Sequence, residues 1–141
     1  MTRRKIVPTI LVVTGAVGIG SAFLVDNPIV STCKVVDLDD RKHARVLDHA
    51  HDAVDRGLPA RLTIDRAEAR GNRRLSLRGI STRAGFDRDE YPPATSDEGG
   101  QGASVRYVRS SENRSAGSRL GRELRGLPEG ACFQYEERNI R

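Results

Sequence analysis

Three carboxylates fall within four residues at Asp87-Arg88-Asp89-Glu90, with an arginine among them. Packing like charges this closely is costly unless a cation lies nearby. Carboxylates gathered in this way can act as a general base or as hard oxygen donors to a divalent cation. The interleaved Arg88 offers a forked donor to a phosphate. The plainer fate of such a run is a solvated surface loop. The three histidines, His43, His49 and His51, all lie in an earlier segment. Positions 49 and 51 do not share a helix face, so these residues read as partly exposed helix histidines. That leaves the acidic half of the chain with no local histidine base. The sequence contains no HExxH, no Cys/His zinc spacing, no G-x-S-x-G and no Walker lysine motif, which weakens zinc-protease, serine-hydrolase and nucleoside-triphosphatase readings. Gly99-Gly100-Gln101-Gly102 lacks the strand-to-helix setting of a phosphate loop and reads as a turn.

The acidic run opens a series of ordered blocks. Asp87-Arg88-Asp89-Glu90-Tyr91-Pro92 is followed by Glu98-Gly99-Gly100 and Gly102-Ala103-Ser104-Val105-Arg106-Tyr107-Val108. Then come Glu112-Asn113-Arg114-Ser115-Ala116-Gly117-Ser118 and Leu127-Pro128-Glu129-Gly130, while Thr63-Ile64-Asp65-Arg66 and Ser76-Leu77-Arg78-Gly79-Ile80 lie upstream. On these blocks the chain resembles the NucA/NucB deoxyribonucleases from about Lys34 to Phe133. The resemblance implies a ββα-metal type of nuclease that hydrolyses DNA phosphodiesters, on double or single strands, without sequence preference. It carries the general base onto Asp89, where most ββα-metal enzymes use a histidine. It carries the ligand of one divalent cation onto Glu123, and hard oxygen ligation suits Mg²⁺ or Mn²⁺. Asn113 and Glu123 are about 15 Å apart along an unbroken helix at ~1.5 Å per residue, so Asn113 is expected to orient rather than to share the ion. Arg88 and Arg114 are expected to clamp phosphate oxygens, with Arg106 as a further phosphate contact; such contacts carry no sequence information. An aspartate base also predicts no histidine-type activity step near pH ~6.5. The chain departs from its relatives at Leu62 and Ser96, where they carry a pair of cysteines. Both halves of a bridge are absent together.

Charge is less informative. The formal net charge is +5, but Arg3, Arg4 and Lys5 lie in the first 25 residues, which contain no acid, and the remainder holds 21 cations against 19 anions. DNA affinity must therefore come from local clustering rather than from a global field. The basic start followed by the uncharged run Ile6–Val25 reads as a signal peptide or N-terminal membrane anchor over residues 1–25, hence a secreted or membrane-anchored extracellular protein. In an exported chain, the even pair Cys33 and Cys132 is expected to form one disulfide. Two other functions fit the same composition: a non-catalytic, Arg-rich surface protein for DNA binding or uptake, and a secreted nuclease toxin with an inhibitor or immunity partner.

The elements that must position these residues can be read from periodicity and punctuation. Lys34–Leu38 predicts a strand, Arg41–Arg56 a helix capped by Asp39 or Asp40, and Arg61–Ile64 a second strand. A polar helix over Arg66–Leu77 follows, then a loop-like Gly79–Pro93 and a turn over Ser96–Gly102. Ala103–Val108 predicts a strand, Asn113–Arg125 a helix capped by Ser110 or Ser111, and Ala131–Tyr135 a last strand. The expected fold is α+β, with a small mixed sheet and helices containing the ββα-metal motif, in a nuclease domain over 33–135 with a tail at 136–141.

Overall fold

The computed structural model describes residues 32–136. The expected export segment at 1–25 and most of the expected tail lie outside the described residues. The fold is α+β. A three-stranded mixed sheet is built from β1 (Lys34–Val36), β2 (Leu62–Thr63) and β5 (Cys132–Tyr135), in the order β1-β5-β2. β5 runs parallel to β1 and antiparallel to β2, and Phe133 faces Lys34 on one side and Leu62 on the other. A separate antiparallel pair joins β3 (Phe86–Tyr91) to β4 (Ser104–Arg109). Three helices complete the domain: α1 (Ala44–Asp55), α2 (Ala69–Ser76) and α3 (Ser110–Glu123).

With no tryptophan and few aromatics, the core is mainly aliphatic, with Phe133 and Tyr91 as its buried rings. Phe133 is fully buried among Val36, Leu47, Leu62, Ile64 and Val108. α1 buries Val46, Leu47, Ala50 and Ala53, one face at helical spacing. The helix begins later than its sequence suggests. Asp39 accepts hydrogen bonds from the backbone N–H groups of Arg41 and Lys42, so it caps a preceding turn, and α1 starts at Ala44. Gly57, at φ +96°, ends it in the left-handed conformation that other residues resist. α3 begins earlier than expected: Ser110 is its first residue and caps nothing, because its hydroxyl donates to Asp87 instead.

The largest departure from expectation is β3. Asp is poorly suited to strands, and Asp-Arg-Asp-Glu has no apolar alternation to mark one. It forms because other elements answer each charge. Alternate residues of a strand face opposite sides. Asp87 and Asp89 share the side that meets Arg114 of α3 and His49 of α1, while Glu90 meets Arg73 and Ser76 of α2.

Cys33 and Cys132 are joined by a disulfide across a sequence separation of 99. The bridge ties the chain just before β1 to the first residue of β5. Closing a loop of this length is expected to contribute about 2–4 kcal/mol. Urea unfolding of the Cys33→Ala/Cys132→Ala double variant beside the parent checks this; equal midpoints would show that the bridge adds nothing.

The two positions at which the resemblance implies cysteines are filled differently. Leu62 and Ser96 are both fully buried, on segments that run side by side through Asp65 N–H to Thr95 O and Asp97 N–H to Thr63 O. Glu98 ties the same segments together by accepting from both the N–H and the hydroxyl of Thr63. Gly99 admits no side chain, because a Cβ there would lie 2.7 Å from the Pro93 carbonyl oxygen. Asn72 of α2 donates to the carbonyls of Ala94 and Ser96, which fastens α2 to the loop after β3. The Glu-Gly-Gly block thus serves the scaffold, bracing the end of β3 rather than holding phosphate.

Candidate active site

β3, β4 and α3 follow one another as a strand–strand–helix unit, and an open cleft of about 460 Å³ lies along it. Asp87, Arg88, Asp89, Glu90, Asn113 and Arg114 all line this cleft, with Phe86, Leu77, Leu120 and Tyr135 among its apolar walls. Residues from two separated stretches of sequence therefore meet at one surface.

The acids differ in character. Asp89 is mostly buried, its side chain 14% exposed, and its Oδ2 lies 2.6 Å from Nδ1 of His49. Burial pushes its carboxyl above the usual aspartate range, opposed by the hydrogen bond from His49. Asp87 accepts from Arg114 Nε at 2.9 Å and from the Ser110 hydroxyl at 2.8 Å. The Arg114 guanidinium, followed by the Ser110 hydroxyl, holds its carboxyl below the usual range. Glu90 points to the other side of β3 and pairs with Arg73 at 3.0 Å. Two acids on one strand face are thus pushed in opposite directions. This is the pattern expected where one carboxylate is a base and the other a fixed charge.

The cations are poised rather than spent. Arg114 is 74% exposed, so its pairing with Asp87 is weakly held. Arg88 gives one N–H of Nη1 to the Ile80 carbonyl at 2.6 Å, and the rest of its fork is available to a phosphate. Two expected site residues are not brought to the cleft. Arg106 pairs with Asp52 of α1 at 2.5 Å and does not line it. Glu123, at the end of α3, is held by Lys34 at 2.7 Å and Arg119 at 2.8 Å, and it too lies outside the lining. The helix rise that separates Asn113 from Glu123 places only Asn113 beside the acids.

The reading of the histidines as partly exposed is overturned for His43 and His49. His49 is fully buried and reaches Asp89 from α1. His43 is buried as well, with Nε2 at 2.9 Å from the Ser115 hydroxyl. The signal was present in the sequence, since His49 lies three residues after Val46 and four before Ala53, on the apolar stripe of the helix. With His49 against the carboxylate, the expected absence of any histidine influence on the pH profile no longer follows.

The profile of the deoxyribonuclease NucA/NucB family matches residues 50–135. The chain belongs to this family. The matched NucA/NucB region runs from the middle of α1 to the end of β5 and includes every residue placed at the cleft above. The DNA-entry nuclease of Bacillus subtilis (strain 168) is 40% identical over 89 residues, which make up 63% of this chain. The chain spans about 60% of the length of that relative.

Proposed function

We propose that this NucA/NucB chain is an exported endodeoxyribonuclease that hydrolyses DNA phosphodiester bonds without sequence preference, using Asp89 as general base and one divalent cation. The observation that carries the reading is the convergence of a buried carboxylate, Asp89, with Asn113, Arg88 and Arg114 in one open cleft of a chain from a deoxyribonuclease family.

Whether the residues fit a metal can be judged from their donors. Among the described residues, no group of three or more His, Cys, Asp and Glu side chains is close enough to cage an ion. The cleft instead offers oxygen donors, the Asp87 carboxylate and the Asn113 amide. Mg²⁺ usually keeps several waters and takes only one or two protein oxygens besides the phosphates of its substrate. The set therefore fits a hydrated Mg²⁺ or Mn²⁺ held by Asp87 and Asn113. Such an ion, when bound, would supply charge neutralisation at the phosphate.

The remaining work belongs to the chain. Asp89 takes the proton from the attacking water. Arg88 and Arg114 orient the phosphate through its non-bridging oxygens, with Arg114 exchanging Asp87 for the substrate. Leu77, Phe86 and Leu120 give the cleft apolar flanks.

Incubating supercoiled plasmid with the purified chain and Mg²⁺ or Mn²⁺ is expected to give nicked and then linear DNA, and EDTA is expected to stop the reaction completely. Cleavage that persists in EDTA would reject the metal. Salt-sensitive binding without any cleavage would instead identify a non-catalytic DNA-binding protein.

A further inference from the structure

α1 presents His49, Asp52 and Arg56 at intervals of three and four residues, so they lie on one face. That face meets the β3–β4 pair. Arg56 Nη2 lies 3.1 Å from Ser104 Oγ, Ser104 Oγ lies 2.9 Å from His49 Nε2, and His49 Nδ1 lies 2.6 Å from Asp89 Oδ2. Arginine can only donate, so Ser104 Oγ accepts from Arg56. Ser104 Oγ keeps a second lone pair, so the choice is made at the other ring nitrogen. An ionised Asp89 can only accept, a neutral His49 therefore keeps its hydrogen on Nδ1, and Nε2 takes the serine hydrogen.

The geometry points to His49 as a positioning residue for Asp89, held in one tautomer between the Asp89 carboxylate and Ser104 within a relay of hydrogen bonds that begins at Arg56. The relay fixes Oδ2, so Oδ1 is the oxygen that Asp89 turns to a water in the cleft. His49 is fully buried and does not line the cleft, so its effect passes through the carboxylate. Asp89, His49 and Ser104 also have the connectivity of a nucleophilic serine triad. Arg56 on the serine oxygen and the enclosure of His49 favour a support role instead.

The kinetic consequence rests on the nuclease reading; the tautomer does not. The test uses the full chain and its variants. In ¹⁵N NMR of the parent at neutral pH, His49 is expected to carry its proton on Nδ1 with Nε2 unprotonated, and Ser104→Ala is expected to disturb that pattern. On plasmid DNA with Mg²⁺ or Mn²⁺, His49→Gln, which loses the donor at the Nδ1 position, is expected to lower kcat about 10- to 100-fold with KM unchanged, the range typical of lost outer-shell support. His49→Asn, whose amide N–H falls near the Nδ1 position, is expected to recover most of that loss. Ser104→Ala is expected to cost less than His49→Gln. A parent His49 protonated on Nε2 or on both nitrogens overturns the relay even where a variant fails to fold. So does a folded His49→Gln with parental kcat, or a Ser104→Ala as inactive as a variant lacking Asp89. A parent that does not cut DNA at all instead rejects the nuclease reading and leaves the NMR result to decide the relay.

Discussion

Asp89→Asn is expected to lower the rate of DNA cleavage by about 10²- to 10⁴-fold, the usual contribution of a general base, without loss of stability. The substitution keeps the size of the side chain and an acceptor for His49, and removes only the ability to take a proton. The stability half follows from the sign of the pKa shift. Burial raises the Asp89 carboxyl in the folded protein, so its ionised form opposes folding. Stability linked to this group is fully present below its unfolded pKa and is lost as pH rises through the raised folded value. At neutral pH the neutral amide escapes that cost, so the melting temperature of Asp89→Asn is expected to equal or exceed that of the parent. Activity runs the other way, because the base acts only when ionised. The acid limb of the kcat–pH profile is therefore expected above the ordinary aspartate value near ~3.9. A folded Asp89→Asn protein that cuts plasmid at the parental rate would remove Asp89 from the mechanism. A clear drop in its melting temperature would contradict the burial argument.

The second large effect concerns folding. Phe133→Ala is expected to destabilise the domain by about 3–5 kcal/mol. Phe133 is fully buried on the central strand, paired with Lys34 and Leu62 on its two sides. Its neighbours in the core are mostly aliphatic, and the rings of Tyr91 and Tyr135 are already packed against each other. Domains of this kind hold a margin of roughly 5–15 kcal/mol, so a large share of the total is at stake. Urea unfolding measures it directly. A loss below about 1 kcal/mol would show that the surrounding aliphatic side chains collapse into the space.

How far the sequence revealed this arrangement varies by element. The outer strands and α1 were legible because their apolar residues follow the period of the element. β3 was not, since its residues are charged on both faces and their partners come from α1, α2 and α3, far away in sequence. The same fact hid His49, which looked like one of three helix histidines until α1 was seen to pack against the acidic strand. Asp87, Asp89, Asn113 and Arg114 converge as the family blocks suggest. Arg106 and Glu123 do not, because each finds a nearer partner of opposite charge, Asp52 for one and Lys34 with Arg119 for the other. Charge type could be read from the letters; which charge meets which depended on packing.

The central place of β5 also sets an order of events. β1 and β2 do not touch each other and share only β5 as a neighbour, so neither can pair until the C-terminal strand has been made and has come back to them. A nascent chain emerging from the ribosome can pair β3 with β4, but has no β1-β5-β2 sheet and no cysteine partner for Cys33 during most of its passage. Completion of the three-stranded sheet and closure of the covalent ring are therefore deferred to wherever residues 132–135 are finally delivered.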